Sequence, residues 1–394
     1  MIGSLAVMWR LQIGTIALAG LVSLIFEGAI ARAGHDAVPE PPPASTSHKL
    51  RAVPGLKQNS ITVSGVSSGG FFAHQFHVAY SKLVNGAGII GGGPFGCAEH
   101  ILNPYWWFAG VPLDRGSAAT VACTHYLGSR YFGLRPSSPR ADDSASFVQQ
   151  AHRQGLIDDP MNLASSRVWL FHGRRDELVP QSTMAALKDL YQLLGVPSLQ
   201  LSTDMNEHGR SASHGVPVTK LEGPSRFPVR LCEEHAPPFV IECGYEAAEQ
   251  LLKHLYPGQI GKASEDPHGD GNLIAFDQSE FFIGASDHIS LHGVGYIYVP
   301  KSCEREECRL HVAFHGCRQT ADEIHDDFIR DAGYNRWAAT NNIVLLYPQI
   351  AVISINPNGC WDWWGYTGEG YFGQNGRQMR AVRAIIARVL GAER

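Results

Sequence analysis

The stretch Gly65–Gly70, with the sequence GVSSGG, decides the fold predicted for this chain. A short β-branched run, Ile61–Val63, precedes it, and a pattern typical of a helix, Gly70–Leu83, follows it. A strand, a sharp turn and a helix are the context of a G-x-S-x-G nucleophile elbow, in which small residues expose the serine hydroxyl. The free N–H groups and the positive dipole end of the helix would face that hydroxyl. We therefore predict that Ser67 is a nucleophile, and the alternative is an ordinary glycine-rich β–α loop.

The composition is that of a large globular protein. The 394 residues are 44% hydrophobic and 18% charged, which suits a chain with a sizeable core. A formal net charge of −5 gives no electrostatic case for binding nucleic acid or an anionic membrane. These values favour a globular enzyme over a nucleic-acid-binding protein.

The N-terminus has the pattern of a targeting segment. Arg10 precedes an apolar run, Ile13–Phe26, and Ala31–Ala33 is similar to an A-x-A cleavage site. We predict a signal peptide over residues 1–33 and a flexible spacer rich in proline, serine and alanine over residues 34–49. An uncleaved anchor is the alternative, and no later apolar run is long enough to span a bilayer.

All eight cysteines lie beyond this segment, and an even number in an exported protein indicates disulfides. Zinc is the competing explanation, but the chain contains no C-x-x-C pair, so we expect no metal site. Pairing in sequence order closes a local loop each time and is the connectivity that we favour: Cys97–Cys123, Cys232–Cys243, Cys303–Cys308 and Cys317–Cys360.

Apolar runs and helical patterns alternate along residues 50–256, which is the rhythm of a mostly parallel sheet flanked by crossover helices. The predicted strands of this first block are 61–63, 86–92 and 165–171, and a further helix is predicted near 184–194. Residues 258–272 have no periodicity and are predicted to be a surface connection. The second block has predicted strands at 293–300, 310–314 and 342–348 and predicted helices at 322–339 and 378–390.

The order of the two blocks is informative. In an α/β-hydrolase, the strand that carries the oxyanion loop precedes the nucleophile elbow. Here the best candidate for that loop, His315–Cys317, comes far after the elbow. Joining the end of the chain to its start would restore the usual order, and the new connection would be 258–272. We therefore predict a circularly permuted α/β-hydrolase fold, because permutation is tolerated where chain ends lie close together at the surface.

A serine nucleophile needs a base, and the base needs an orienting acid. Asp176 follows a predicted buried strand at its carboxyl end, where open α/β sheets place their sites, and Glu177 is the alternative acid. His214 lies downstream in a loop of small residues and is the favoured base, with His208 as its rival. The chain order Ser, Asp, His is that expected for this fold.

The predicted oxyanion hole consists of the backbone N–H groups of Ser68 and Cys317, with His315 orienting the loop. A cluster of rings follows Cys360 and is predicted to form an apolar wall for an acyl chain, with core packing expected for at least one ring. The rings of this wall are Trp361, Trp363, Trp364 and Tyr366, which Trp106 and Trp107 would extend.

Taken together, these motifs resemble those of the poly(3-hydroxybutyrate) (PHB) depolymerases, in particular those with a circularly permuted α/β-hydrolase catalytic domain. The resemblance covers about residues 50–390 and is carried by Gly65–Gly70, Phe314–Cys317 and Asn358–Gly365. It implies Ser67 as nucleophile, Asp176 as acid, His214 as base, the N–H groups of Ser68 and Cys317 as oxyanion hole, tryptophans lining the subsites, and neither metal nor cofactor.

The resemblance implies a secreted or periplasmic serine esterase that acts on short-chain polyhydroxyalkanoates and their oligomers. We expect residues 50–394 to form a single catalytic domain without a separate polymer-binding domain, which favours amorphous polymer or soluble oligomers as substrate. The alternatives are an exported feruloyl- or acetyl-type carboxylesterase and a non-catalytic polymer- or granule-binding protein.

Overall fold

The structure is a computed structural model that describes nine ranges of the chain. These are residues 48–99, 115–124, 138–197, 201–204, 212–221, 227–228, 230–266, 268–282 and 288–392. The predicted signal peptide and residues 34–47 of the predicted spacer lie outside the described residues, as do His208, Trp106 and Trp107. The predictions made for them stay predictions.

Eight strands form one large sheet in the order β4-β3-β2-β1-β9-β10-β8-β7. Six of them are parallel, whereas β8 is antiparallel to both β10 and β7. A second, small sheet pairs β5 with β6. The strands are β1 (Leu56–Val66), β2 (Val84–Ile90), β3 (Arg167–Phe171), β4 (Leu201–Asp204), β5 (Val216–Val218), β6 (Val240–Glu242), β7 (Asn272–Asp277), β8 (Val294–Val299), β9 (Cys308–Phe314) and β10 (Ile343–Tyr347).

The described helices cover both faces of the large sheet. They are α1 (Ser68–Ala79), α2 (Arg115–Cys123), α3 (Ala141–Arg153), α4 (Gln181–Leu193), α5 (Ala247–Leu255), α6 (Ala321–Ile324), α7 (Asp327–Asp331), α8 (Tyr334–Ala339) and α9 (Arg377–Val389). Side chains of a strand point alternately to its two faces, so each strand contributes to two cores. In β10, Val344 and Leu346 pack with α1–α4 and α9, whereas Ile343, Leu345 and Tyr347 pack with α5–α8.

The strand order is that of a circularly permuted α/β-hydrolase. Counted from β7 to β10 and then from β1 to β4, the strands of the large sheet follow the order 1-2-4-3-5-6-7-8. The loop with His315 then follows the third strand, where this fold places an oxyanion loop, and the elbow follows the fifth strand. The Val53 N–H donates to the Val389 carbonyl at 2.9 Å, so the segment before β1 lies beside the end of α9.

Most predicted elements are present, but the predicted single helix at 322–339 is wrong. The structure divides this segment into α6, α7 and α8. His325 and Gly333 have φ angles of 57° and 83°, in the left-handed region, and a right-handed helix cannot continue through either residue. Strand β7 begins at Asn272, where the predicted surface connection ends, and was not predicted from the sequence.

The structure contains the four disulfides in the favoured connectivity, Cys97–Cys123, Cys232–Cys243, Cys303–Cys308 and Cys317–Cys360. All eight cysteines are thereby used, so no thiolate is left for a metal ion. Disulfides of this number indicate an oxidising compartment. Within the described ranges, no helix combines the length and the apolar character needed to cross a membrane.

Candidate active site

Ser67 occupies the sharp turn between β1 and α1, with φ 57° and ψ −125°. Non-glycine residues rarely adopt such angles, and the surrounding packing holds them in place. The Ser67 N–H donates to the Ile90 carbonyl of β2 at 2.9 Å. A side chain on Gly65 would collide with the backbone of Gly69, and one on Gly69 would collide with the His315 carbonyl. Glycine is therefore required on both sides of Ser67, and the elbow predicted from the sequence is present.

Asp176 lies beyond the carboxyl end of β3, and its carboxylate is held on both oxygens. Oδ1 accepts the N–H groups of Leu178 and Val179 at 3.0 and 2.9 Å. Oδ2 accepts Nδ1–H of His214 at 2.7 Å, and the two side chains are only 3% and 6% exposed. Glu177, the alternative acid, is exposed to solvent. The structure therefore pairs His214 with Asp176.

The charge state of Asp176 follows from these contacts. Burial acts to raise the pKa of the carboxyl, but the His214 ring and the hydrogen bonds from His214 and Val179 outweigh it. The net result is a pKa below the ordinary value, so the group is a carboxylate at neutral pH. A carboxylate on Nδ1 fixes the imidazole tautomer in which Nε2 is free to accept a proton.

Ser67 and the Asp176–His214 pair both lie at the end of β2. Ser67 bonds to the Ile90 carbonyl, and a Cβ on Gly91 would lie 3.0 Å from Asp176 Oδ2 and 3.1 Å from His214 Cε1. His214 Nε2 is buried and has no hydrogen-bond partner. Hydrogen bonds between a catalytic serine and histidine often form only when a substrate binds. The arrangement leaves one unoccupied basic nitrogen beside the elbow.

The loop after β9 lies against the elbow. A Cβ on Gly316 would lie 3.1 Å from the Ser67 Cβ, so residues early and late in the chain meet here. The Ile350 N–H donates to His315 Nε2 at 3.2 Å, so Nδ1 carries the proton and donates to the Gly316 carbonyl at 2.8 Å. Burial lowers the pKa of His315 to about 4, so the ring is neutral and orients the loop.

Two backbone N–H groups are left over at this junction. No acceptor in the described part of the chain takes the N–H of Ser68 or that of Cys317. The Ser68 hydroxyl accepts the Trp361 N–H at 3.3 Å, and the Cys317–Cys360 disulfide joins the loop to the same aromatic segment. Two unpaired donors beside a serine hydroxyl can stabilise a developing oxyanion.

The aromatic segment differs in part from the predicted wall. Trp361 has no exposed surface and packs on Phe72 and Phe314 with ring centroids 4.6 and 4.9 Å apart, so it is a ring in core packing of the kind expected for at least one member of the cluster, and its contact with substrate stays a prediction. Trp363 stacks on Phe71 at 4.2 Å and is 8% exposed. The Trp361 ring is buried because it packs in the core between α1 and β9, against one phenylalanine from each.

Trp364 and Tyr366 are half-buried and lie against each other, with ring centroids 4.9 Å apart. The Tyr366 hydroxyl points inward and donates to the Cys360 carbonyl at 2.7 Å. The sequence analysis missed Asp362, whose buried carboxylate accepts the N–H groups of four residues that follow it, Trp364, Gly365, Tyr366 and Thr367. An acidic residue within an aromatic run is the signal that could have revealed it, because a buried carboxylate needs such donors.

Comparison with known proteins places these features in a family context. No protein-family profile matches the chain. It is 36% identical over 352 residues to a poly(3-hydroxybutyrate) depolymerase of Delftia acidovorans, a match of 87% of this chain and 62% of the relative. It is 31% identical over 359 residues to a polyhydroxybutyrate depolymerase of Talaromyces funiculosus, a match of 85% of this chain and 91% of the relative. The chain therefore spans less than two thirds of the length of the Delftia relative.

Two solved structures are similar over most of the chain. One is a PHB depolymerase from Penicillium funiculosum, and the other is a serine-to-alanine variant of a PHB depolymerase complexed with an R3HB trimer. Each superposes with a TM-score of 0.70 at 28% identity, and the match covers 87% of this chain and 99% of that chain.

Proposed function

Because the chain belongs to the PHB depolymerases, we propose that it is a serine esterase that hydrolyses the ester bonds of PHB and related short-chain polyhydroxyalkanoates. One observation carries this proposal. The loop that carries the unpaired Cys317 N–H lies against Ser67. The strands that lead to these two residues are neighbours although they are far apart in the chain, since 249 residues separate the paired side chains of Thr62 and His311. A nucleophile, a histidine–carboxylate pair and two free donors are the parts that acyl transfer requires.

In the proposed reaction, His214 Nε2 takes the proton of the Ser67 hydroxyl while Oγ attacks the ester carbonyl carbon. The carbonyl oxygen becomes an oxyanion that accepts the N–H groups of Ser68 and Cys317. Collapse of this intermediate breaks the ester C–O bond, and His214 returns the proton to the leaving hydroxyl end of the polymer. Water then attacks the acyl-enzyme by the same route and regenerates Ser67, while Asp176 stabilises the imidazolium in both steps.

The proposed substrate is supported by the surroundings of Ser67. The segment with the aromatic rings is joined to the elbow by the Trp361 N–H, which donates to the Ser68 hydroxyl, and the half-buried ring of Trp364, which packs on Trp363, offers an apolar surface that suits the methyl-bearing backbone of a 3-hydroxybutyrate oligomer. A related structure holds an R3HB trimer. We propose a secreted or periplasmic location, since the four disulfides need an oxidising compartment. Residues 50–394 would form the catalytic domain.

Replacement of the nucleophile tests the proposal. The wild-type protein is expected to release 3-hydroxybutyrate from amorphous PHB, whereas Ser67→Ala should lose at least about 10⁴-fold in kcat with its melting temperature retained. Active Ser67→Ala would end the proposal. If ferulate is released from feruloyl esters faster than 3-hydroxybutyrate is released from PHB, the substrate class is feruloyl esters instead. If a fluorophosphonate does not label Ser67, a non-catalytic binding protein is favoured.

A further inference from the structure

Gln319 is a buried glutamine at the end of the oxyanion loop that the sequence analysis did not single out. The residue is only 2% exposed, and both ends of its side-chain amide form hydrogen bonds with backbone groups. Oε1 accepts the Gly316 N–H at 2.7 Å, and Nε2 donates to the Pro238 carbonyl at 2.9 Å. One side chain therefore bridges two loops that are distant in sequence.

At one end, Gln319 contacts the peptide units on both sides of Gly316, the first through its side chain and the second through its own backbone N–H. The unit before Gly316 is held through its N–H by Gln319 Oε1. The unit after it is held through its carbonyl, which accepts His315 Nδ1–H at 2.8 Å and the Gln319 N–H at 3.3 Å. In a planar trans peptide the N–H points away from the carbonyl, so these contacts set the direction of the Cys317 N–H. Without them, a glycine would leave both units free to rotate.

At the other end, the bridge reaches the surroundings of the histidine. The Pro238 carbonyl that accepts Gln319 Nε2 precedes Phe239, whose own carbonyl accepts the Val216 N–H at 2.8 Å. Val216 is two residues beyond His214. Gln319 thus joins the loop that carries the Cys317 N–H to the backbone that supports His214.

We propose that Gln319 is a positioning residue that holds the Cys317 N–H at the oxyanion site and in register with His214. This inference rests on the proposed esterase function. In this role Gln319 acts on the reaction through its contacts with Gly316 and Pro238. Because the two loops come from the two permuted halves, this single amide keeps the donor of one half aligned with the base of the other.

The test compares Gln319→Leu with a matched variant, Asn335→Leu. Asn335 of α8 is also a buried amide with a hydrogen bond at each end, to the Ile329 carbonyl of α7 and from the Tyr347 hydroxyl of β10. On a soluble 3-hydroxybutyrate oligomer, Gln319→Leu should lower kcat by about 10- to 100-fold with KM within about threefold, since a displaced donor weakens the transition state rather than substrate binding. Asn335→Leu should lower the melting temperature similarly and leave kcat within about twofold of wild type.

Gln319→Glu is the conservative variant. It keeps the acceptor for the Gly316 N–H and loses the donor to the Pro238 and Phe239 carbonyls, so it should retain more activity than Gln319→Leu. This variant also serves if Gln319→Leu does not fold, and its matched control is then Asn335→Asp. If Gln319→Glu and Gln319→Leu both keep wild-type kcat, or if kcat falls equally in the Asn335 variants, Gln319 has no positioning role.

Hydrogen exchange separates this inference from the proposed function. In Gln319→Leu, the amides of residues 315–318 and those of the non-proline residues within 236–240 should exchange faster than in wild type, while those of β2 and β3 stay unchanged. This readout needs no activity. If the wild-type protein is inactive but exchange in Gln319→Leu is faster in both segments, the esterase is rejected and the bridge is retained. If exchange in Gln319→Leu is unchanged in both segments, the bridge itself is rejected.

Discussion

At the residue scale, Asp176 and His214 form a pair whose two side chains are almost fully shielded from solvent. Asp176 could be predicted because it follows a buried strand of a parallel sheet, and His214 because it comes later in a small-residue loop. Their contact at 2.7 Å agrees with that reasoning. Gln319 could not be predicted, because its two partners, Gly316 and Pro238, are brought to it only by the folded loops.

Replacement of Asp176 by asparagine should change the tautomer in which the His214 ring is held while it preserves the geometry of the pair. The amide of Asp176→Asn would donate to His214 Nδ1 and hold the wrong tautomer, so kcat should fall by about 10⁴-fold with little change in KM. Glu177→Gln is the matched control, because Glu177 is exposed and should leave kcat at the wild-type value. Steady-state kinetics on a soluble oligomer provide the measurement, and a larger loss in Glu177→Gln would reverse the two assignments.

Asp176 should also contribute to stability in a pH-dependent way. Its pKa in the folded protein is below the ordinary value, so the contribution is present above the unfolded pKa of about 3.9 and is lost as the pH falls through the folded pKa. Wild type should therefore be more stable than Asp176→Asn at pH 6, and the difference should narrow below about pH 4. Urea unfolding of both proteins from pH 6 to pH 3 measures it. A difference that widens on acidification would contradict the sign of the shift.

At the scale of elements, strands with long apolar runs were predictable and short or irregular elements were not. β5 and β6 have three residues each, too few for a periodic signal. The junction of β1 with β9 holds a buried polar network in which His311 contacts the hydroxyls of Thr62 and Ser64, both at 2.7 Å. Burial lowers the pKa of His311 to about 3, so the ring stays neutral. Predicting such a network requires knowing which strands are neighbours in the sheet. The sequence suggested this only through the order of its motifs.

The disulfide between the oxyanion loop and the aromatic segment should matter more than a disulfide elsewhere. It closes a separation of 43 residues, against 5 for Cys303–Cys308. Cys317→Ala with Cys360→Ala should cost about 2–4 kcal/mol in the free energy of unfolding, because a long loop gains more freedom in the unfolded state.

The same double variant should lower kcat by about tenfold or more, since the loop would lose its tether beside Ser67. Cys303→Ala with Cys308→Ala is the matched control, with a smaller loss of stability and an unchanged kcat. Denaturant titration and oligomer hydrolysis check both effects. Equal losses of kcat in the two pairs would show that the tether has no special influence on the site.

At the scale of the whole molecule, the permuted order was predictable from the sequence because two motifs appeared in the reverse of their usual order. The structure places the chain near Val53 beside Val389, joined by a backbone hydrogen bond. The connection at 258–272 lies against α8 and the residues after it, where the Ser264 N–H donates to the Arg336 carbonyl at 2.8 Å and the Gly261 N–H donates to Asn341 Oδ1 at 2.6 Å. We therefore expect the sheet to form whichever of these connections is covalent.

Restoring the usual order should therefore preserve the fold. A chain that starts at Gln259, joins Ala392 to Lys49 through a short glycine-serine linker and ends at Gly258 should fold and hydrolyse the oligomer at a rate of the same order. Gly258 has a positive φ, and a Cβ built on it would meet no atom within 4 Å, so the chain is open to the outside at this point and can be cut there. A chain opened between Val63 and Ser64 is the control and should not fold. Circular dichroism, thermal unfolding and kinetics make the comparison, and an unfolded first permutant would refute the equivalence.

The contact between Thr62 and His311 has a consequence for how the protein is made. A ribosome releases the middle strand of the sheet first, and 249 residues must follow before its neighbour on one side exists. Partners so far apart in sequence are slow to find each other. A growing chain thus carries Ser67 long before it carries the Cys317 N–H, so under the proposed function a product truncated between them lacks half of the oxyanion hole and should not hydrolyse the ester.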